Sequence, residues 1–492
     1  MSNQLKPLQT APFPLVGSYC EDLRQEVSPE TTYNMYLSIP SDQKQPPVLL
    51  PTPGMRPIKK FSKGGIGRKQ FTYKDQNYMY CVVAQYVYKV DKSLNITIIG
   101  ELKTTTGPVG IAANNAHQII FVDGSGGWIY KEDAGTWQDI SNVTNFPIGC
   151  NSVGYLDGYF IAFYGNSPQF GLSELNDGTQ WPLENIASMQ RKADIGVAVA
   201  VVKGLVLLLG MVSTETWFDA GGALFPFARD NNALYEYGCA AVSSVAEGFD
   251  KLFWLIRDTN GVGGVLFTDG GVPQKVSTYE VDIKISNIQD PSDAVGEVYK
   301  INGHIFYQLS FTKGNITFLY DLTSNSWSIL GASNFDTDDQ DYGDRHLLQS
   351  HSYFNNKHYA LCYKNDKLYQ LDQSYFKYDQ DNILRMRKTI RVVQPTLQFF
   401  RISQIELLLI RGTALANGTD STPYIEMQVS FDGGENWTKP RKASMGKIGK
   451  TIGQTVFYEC GISNSFVFMF KCWNAVDFVL MGGAMKYSVV GP

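Results

Sequence analysis

Residues 118–133 read QIIFVDGSGGWIYKED, and this stretch decides the fold. Ile119, Ile120, Phe121 and Val122 are consecutive apolar residues, so the strand they form is hydrophobic on both faces and has to be covered on both. Asp123-Gly124-Ser125-Gly126-Gly127 supplies the positive-φ positions of a tight turn. Trp128, Ile129 and Tyr130 then return as a second strand ahead of the charged run Lys131-Glu132-Asp133. A lone hairpin is marginal in water because it buries neither face. The chain has to supply neighbours.

It does so by repetition. Apolar strands opening at Tyr78, Gln118, Tyr159, Leu205, Leu252, Ile305 and Tyr359 follow short polar turns and start 40 to 54 residues apart. Most are followed by a second strand, as in VYKVD ending at Asp91, LYDL ending at Leu322 and LYQLD ending at Asp372. A period of roughly 40 to 50 residues with several strands per unit is the signature of propeller blades. The fold expected is all-β: a β-propeller of about six or seven blades over residues 61–390, an extended N-terminal arm at 1–60, and a C-terminal antiparallel β-sandwich at 391–492.

The arm is read from its prolines, ten between Pro7 and Pro57, and from apolar pieces such as Tyr33-Asn34-Met35-Tyr36 that favour docking along the body or a neighbour. The sandwich is read from a change of period near Pro395, with strands at 399–411, 424–432, 455–460, 466–473 and 478–487. Residues 277–298 are one of the few places for a helix. The most hydrophobic stretch, 195–212, is broken by Lys203-Gly204 and reads as two strands and a turn, not as a membrane span.

Composition bounds the function. With 43% apolar and 18% charged residues among 492, the chain is folded and strand-rich. A net charge of -5 argues against a surface that grips nucleic acid phosphates, and it is compatible with a conduit that lets DNA pass without sticking. The seven scattered cysteines never form a C-x-x-C pair, so reduced, buried thiols of a protein folded in cytoplasm are expected rather than disulfides or a zinc site. The N-terminus has no apolar core of signal-peptide length.

SFDGGENW at 430–437 matches the Asp-box pattern S-x-D-x-G-x-x-W and resembles turns of sialidases and other propellers. Ser430, Asp432, Gly434 and Trp437 read as a structural turn in which the carboxylate accepts backbone N–H groups while the indole packs beneath. Phe400-Arg401-Ile402 resembles the Arg-bearing segment of sialidases, but it follows the propeller, Ser403 replaces the usual Pro, and no carboxylate pair is spaced for glycoside hydrolysis. A carbohydrate-active or glycan-binding propeller stands as the alternative, with a protein-interaction propeller third.

Arg385, Arg387, Lys388 and Arg391 form the main basic run, RMRKTIR, which contacts phosphate or an acidic partner or, as the alternation favours, fills the wet face of a strand. Carboxylates at 336–341 (DTDDQD) suit calcium, yet the EF-hand order and its closing Glu are missing, which favours a solvated loop. His346 and His351 read as turn or rim residues. H-E-x-x-H, G-x-S-x-G and G-x-x-x-x-G-K-[ST] are all missing, so no catalytic residue, cofactor or metal is expected and the chain is read as a non-enzyme.

Seven segments taken in order carry a resemblance: 33–36 with 50–55 (LPTPGM), 119–130, 152–161 (SVGYLDGYFI), 213–227 (STETWFDAGGALFPF), 235–246 (YEYGCAAVSSVA) and 444–449 (SMGKIG). Together they resemble the packaged-DNA stabilisation proteins that form the tail hub, or nozzle, of short-tailed, podovirus-type bacteriophages. The resemblance implies a structural protein of the virion tail, made and folded in the host cytoplasm. It further implies a homo-hexameric ring beneath the portal and its adaptor that closes the DNA exit and carries the needle, spikes or fibres. Double-stranded DNA would pass through it during ejection without sequence-specific binding. Such proteins tend to be rich in Arg after the 444–449 segment, whereas residues 454–461 (QTVFYECG) have none, so charged subunit contacts are not carried over there.

Overall fold

The computed structural model describes residues 8–490 except 23, 25–26, 41, 43, 74–76, 191–193, 260, 333–342 and 414–420. The acidic stretch 336–341 lies outside the described residues. Seven antiparallel blades follow one another, and the seven apolar strands marked in the sequence are the second strands of these blades.

Blade 2 shows why. Its strands are Gly110–Ala113, Gln118–Val122, Gly127–Lys131 and Thr136–Asp139, with Phe121 opposite Trp128. Ile119 and Phe121 pack with Tyr80 and Val82 of blade 1, while Ile120 and Val122 pack with Phe160 and Ala162 of blade 3. A strand with a neighbour on each face has to be apolar throughout, and each such side chain contributes about 1.5–3 kcal/mol on burial. The turn behind it is held by Asp123 Oδ1, which accepts from Ser125 N and Gly126 N, with Gly124 at φ 82.

The ring closes on a strand from the beginning of the chain. Blade 7 comprises Leu348–Phe354, Lys357–Cys362 and Lys367–Asp372, and its fourth strand is Gly54–Lys60, antiparallel to the third with Met55 opposite Leu371. A Cβ on Gly54 would lie 1.9 Å from the Tyr375 carbonyl oxygen, so only glycine fits. On the inner side Gln70 N of blade 1 donates to Ser350 Oγ of blade 7, and Ser350 Oγ donates in turn to Glu297 of blade 6, which also pairs with Lys69 at 2.9 Å.

Residues 8–60 lie along the body as short strands that enter several sheets, with 54–60 belonging to the propeller itself. Gln9–Pro12 pairs with Leu480–Val489, and Met35–Ser38 with Val48–Pro51 joins the same sandwich sheet. Pro29–Tyr33 lies between blade 6 and the sandwich. The pairings that fix these pieces to the body, onto Leu480–Val489, blade 6 and Arg385–Lys388, are long-range and invisible to local periodicity.

The sandwich packs Phe400–Leu409, Thr455–Ser463 and Leu480–Val489 against Tyr424–Ser430 and Ser465–Cys472. Its core holds Phe13, Phe400, Phe457, Phe466, Phe468 and Phe470. The helix expected within 277–298 is Tyr279–Ser286, and the hydrophobic stretch forms Gly196–Val202 and Leu205–Gly210 around the Lys203-Gly204 turn. Six cysteines are buried, Cys20 is half-buried, and none forms a disulfide. Among the described residues no helix is long and apolar enough to cross a membrane.

Candidate functional site: a buried basic seam

The Arg385–Lys388 strand joins the two bodies. It pairs antiparallel with Pro29–Tyr33 on one side, Thr32 opposite Arg387, and with Ser465–Cys472 on the other, Phe470 opposite Arg387. Tyr33 in turn pairs in parallel with Ile329 of blade 6. One hydrogen-bonded sheet thus runs from blade 6 into the sandwich.

A wet face is not what this strand presents. Arg385 and Arg387 are 0% exposed and Lys388 1%, because sheet partners cover its edges and the two cores cover its faces. Arg391 lies beyond the strand and is half-buried.

Arg387 gathers the N-terminal segment. Its Nε donates to Leu15 O at 2.7 Å, Nη1 to Ser18 O at 3.0 Å and to Thr32 Oγ1 at 3.2 Å, and Nη2 to Glu30 Oε1 at 2.5 Å. Burial lowers the affinity of this guanidinium for its proton, and the Glu30 carboxylate opposes that. Gly17 faces the pair so closely that a Cβ would fall 2.0 Å from Glu30 Oε1 and 2.2 Å from Arg387 Nη2. Lys388 Nζ lies 3.7 Å from Glu21 Oε1, and Lys284 from the helix lies 3.3 Å from Glu21 Oε2. Glu21 therefore ties the helix to the seam.

Arg385 differs. Its guanidinium faces the Phe376 ring at 5.7 Å, and none of its three nitrogens has a hydrogen-bond partner among the described residues. Burial depresses its pKa, and burial raises that of Asp477, against which the Arg385 charge acts.

The Asp-box turn joins Tyr424–Ser430 to Arg441–Ser444 in the sandwich. Asp432 Oδ1 accepts from Ser430 Oγ at 2.7 Å and Asn436 N at 3.0 Å, Oδ2 accepts from Asn436 Nδ2 at 2.7 Å, and Gly434 N donates to Ser430 Oγ at 2.8 Å. The Asn436 N–H, with the Ser430 hydroxyl and Asn436 amide, holds the carboxyl down to about 2. Gly433 and Gly434 both take positive φ, and Trp437 is half-buried against the cluster that contains Met469. These bonds are internal to the turn. Arg401 pairs with Glu459 on the sandwich surface, so the sialidase-like segment is not gathered with acids into a propeller cleft.

The histidines are not rim residues. His346 is 3% exposed, accepts from Leu348 N at 3.2 Å, and is pulled down to about 3 by burial. His351 Nε2 and His358 Nδ1 are 2.9 Å apart in blade 7, and burial depresses both rings. Among the described residues no three His, Cys, Asp or Glu side chains are grouped to hold a metal ion. Sequence reasoning missed the acidic partners Glu21, Glu30 and Glu297; Glu30 and Glu297 are signalled only by a carboxylate within a Thr-rich or apolar stretch, and Glu21 lies among other charged residues with no signal of its own.

The comparisons with known proteins follow this geometry. No curated protein matches the chain. Among solved structures, virginiamycin B lyase from Staphylococcus aureus superposes with a TM-score of 0.42 at 9% identity, covering 64% of this chain and 98% of that one. The WD40 domain of Neurospora crassa Pan2 gives 0.41 at 8% identity, over 62% and 89%, and the N-terminal domain of Nup159 gives 0.41 at 7%, over 70% and 98%. A family model described as bacteriophage P22 Gp10, beta-propeller, matches residues 26–375, from the strand beside the seam to the closing blade. The chain belongs to that phage DNA-stabilisation β-propeller family.

Proposed function

We propose that the chain is the tail hub of a short-tailed phage, a ring of six copies below the portal and adaptor that closes the DNA exit and carries the receptor-binding tail parts. The observation that carries this reading is the family match across the propeller. The role is mechanical. Tail parts hung on one body exert force on the other, and a sheet continuous from blade 6 into the sandwich transmits force through backbone hydrogen bonds instead of a linker. The net charge of -5 suits a wall past which DNA slides.

One end of the sandwich offers a contact surface. Phe399 (56% exposed) and Ile462 (54%) lie where Phe400–Leu409 pairs with the end of Thr455–Ser463, and Gly461 there abuts Phe431, whose ring rests on Phe466. An apolar patch of this kind in a polar rim fits a neighbouring protein in the tail.

Quantitative mass spectrometry of purified particles, with the portal protein as internal count, tests the reading. About half the portal copy number is expected for six hub copies under a twelve-fold portal. Absence from particles overturns it.

A further inference from the structure

Ser38, His304 and Asp321 come together from three parts of the chain. Ser38 ends the Met35–Ser38 strand. His304 opens the His304–Phe311 strand after the tight turn Asn302-Gly303 (φ 52 and 85), and Asp321 closes Ile316–Asp321, so both lie at one end of blade 6. His304 Nδ1 is 2.6 Å from Asp321 Oδ2, and His304 Nε2 is 3.2 Å from Ser38 Oγ. A carboxylate only accepts, so Nδ1 carries a proton, and in the neutral ring Nε2 is the lone pair that faces the serine hydroxyl.

Both supporting groups are fixed. Asp321 accepts from Thr323 N at 2.9 Å and from Ser324 Oγ at 2.6 Å. Tyr36 meets the His304 ring edge-on at 5.0 Å, and Phe306 stacks on it at 5.8 Å. Burial is graded along the series: Asp321 is 1% exposed, His304 7%, and Ser38 is half-buried beside Ile39, which is 49% exposed. Acid and base are withdrawn from water while Ser38 is only half-buried. A simple fastening of Ser38 to blade 6 needs one hydrogen bond of either polarity, and it gains nothing from a base oriented by a pinned, buried carboxylate.

We propose that Ser38 is a nucleophile that accepts acyl groups from small esters, with His304 as its general base and Asp321 as the group that orients and stabilises the imidazole. Ser38 Oγ bonds to the ester carbonyl carbon and passes its proton to His304 Nε2. The ester C–O bond breaks, and the alcohol leaves with that proton. Water then attacks the acyl-serine with the same base, giving the carboxylic acid and the free serine.

The test uses the full chain and a fluorophosphonate probe, with the modified peptide mapped by mass spectrometry and p-nitrophenyl acetate hydrolysis followed in parallel. Labelling is expected at Ser38 in the native chain, absent in Ser38→Ala, and slowed on the order of 100-fold or more in His304→Gln and Asp321→Asn. Melting curves identify which variants fold, and the native chain is compared with itself in urea so that the result does not depend on them. Labelling of Ser38 no faster in the native chain than in the unfolded one overturns the proposal, as does an undiminished rate in folded Asp321→Asn.

Discussion

Blade 2 and the seam bury their strands equally well with opposite side chains. Gln118–Val122 fills its neighbours with Ile119, Ile120, Phe121 and Val122, whereas Arg385–Lys388 places two guanidiniums and an ammonium at 0–1% exposure. A blade strand is covered by units of its own kind, so apolar shape is enough. The seam strand is covered by segments distant in sequence on both sides, with Thr32 and Phe470 opposite Arg387, and Arg387 donates to the set of carbonyls and the Glu30 carboxylate that this one arrangement supplies. Repetition builds the ring, and charge selects the pairing that joins it to the sandwich.

The largest effect that sharpens this contrast comes from removing residues 1–60. That deletes the fourth strand of blade 7 and the strand that joins blade 6 to the sandwich, and loss of cooperative unfolding is expected in urea titration. Next, Arg387→Met leaves the half-buried Glu30 carboxylate and the Leu15 carbonyl oxygen without the guanidinium that donates to them, and about 3–5 kcal/mol of stability is expected to go. Arg385→Met reverses the sign. Its guanidinium forms no hydrogen bond among the described residues, so removing this buried, unsatisfied group is expected to give a gain of about 1–3 kcal/mol in the same titration, reduced by the loss of its attraction for Asp477. Equal losses for the two arginines break the distinction between them.

Acid provides a separate lever on blade 7. Burial keeps His346, His351 and His358 below the ordinary imidazole value, so the unfolded chain binds their protons first. Their contribution is complete above about pH 6.5 and declines as pH falls toward the folded values, by about 1.4 kcal/mol per pH unit for each proton. Urea midpoints at pH 7 and 5 measure this, and His346→Asn flattens the slope. Asp432→Ala is the smallest, about 0.5–1 kcal/mol, because the turn is exposed. Its carboxyl is depressed to about 2, so the difference between variant and parent is full above about pH 4 and fades as pH drops to 2.

The propeller was legible because double-sided burial writes itself into consecutive apolar residues, as in 119–122 and 252–256. The closing strand was not, since GMRPIKK carries two exposed lysines and a proline and pairs with residues three hundred positions later. The Asp-box turn was readable from its spacing, being wholly local. The basic run was visible as a run, but alternation of Arg and Lys looks the same on a wet face and in a seam, and only Glu21 and Glu30 decide between them. Ser38, His304 and Asp321 share no spacing at all.

The strand that completes blade 7 is made early and used late. Residues 54–60 leave the ribosome some three hundred residues before their partner 367–372, a wait of roughly 15–60 s at ordinary elongation rates. During translation blades 1 to 6 assemble beside an unsatisfied edge, and on a crowded polysome the nearest matching partner is the same edge strand of the chain ahead. Ring closure in this protein is therefore a race between finishing one molecule and exchanging strands with the next.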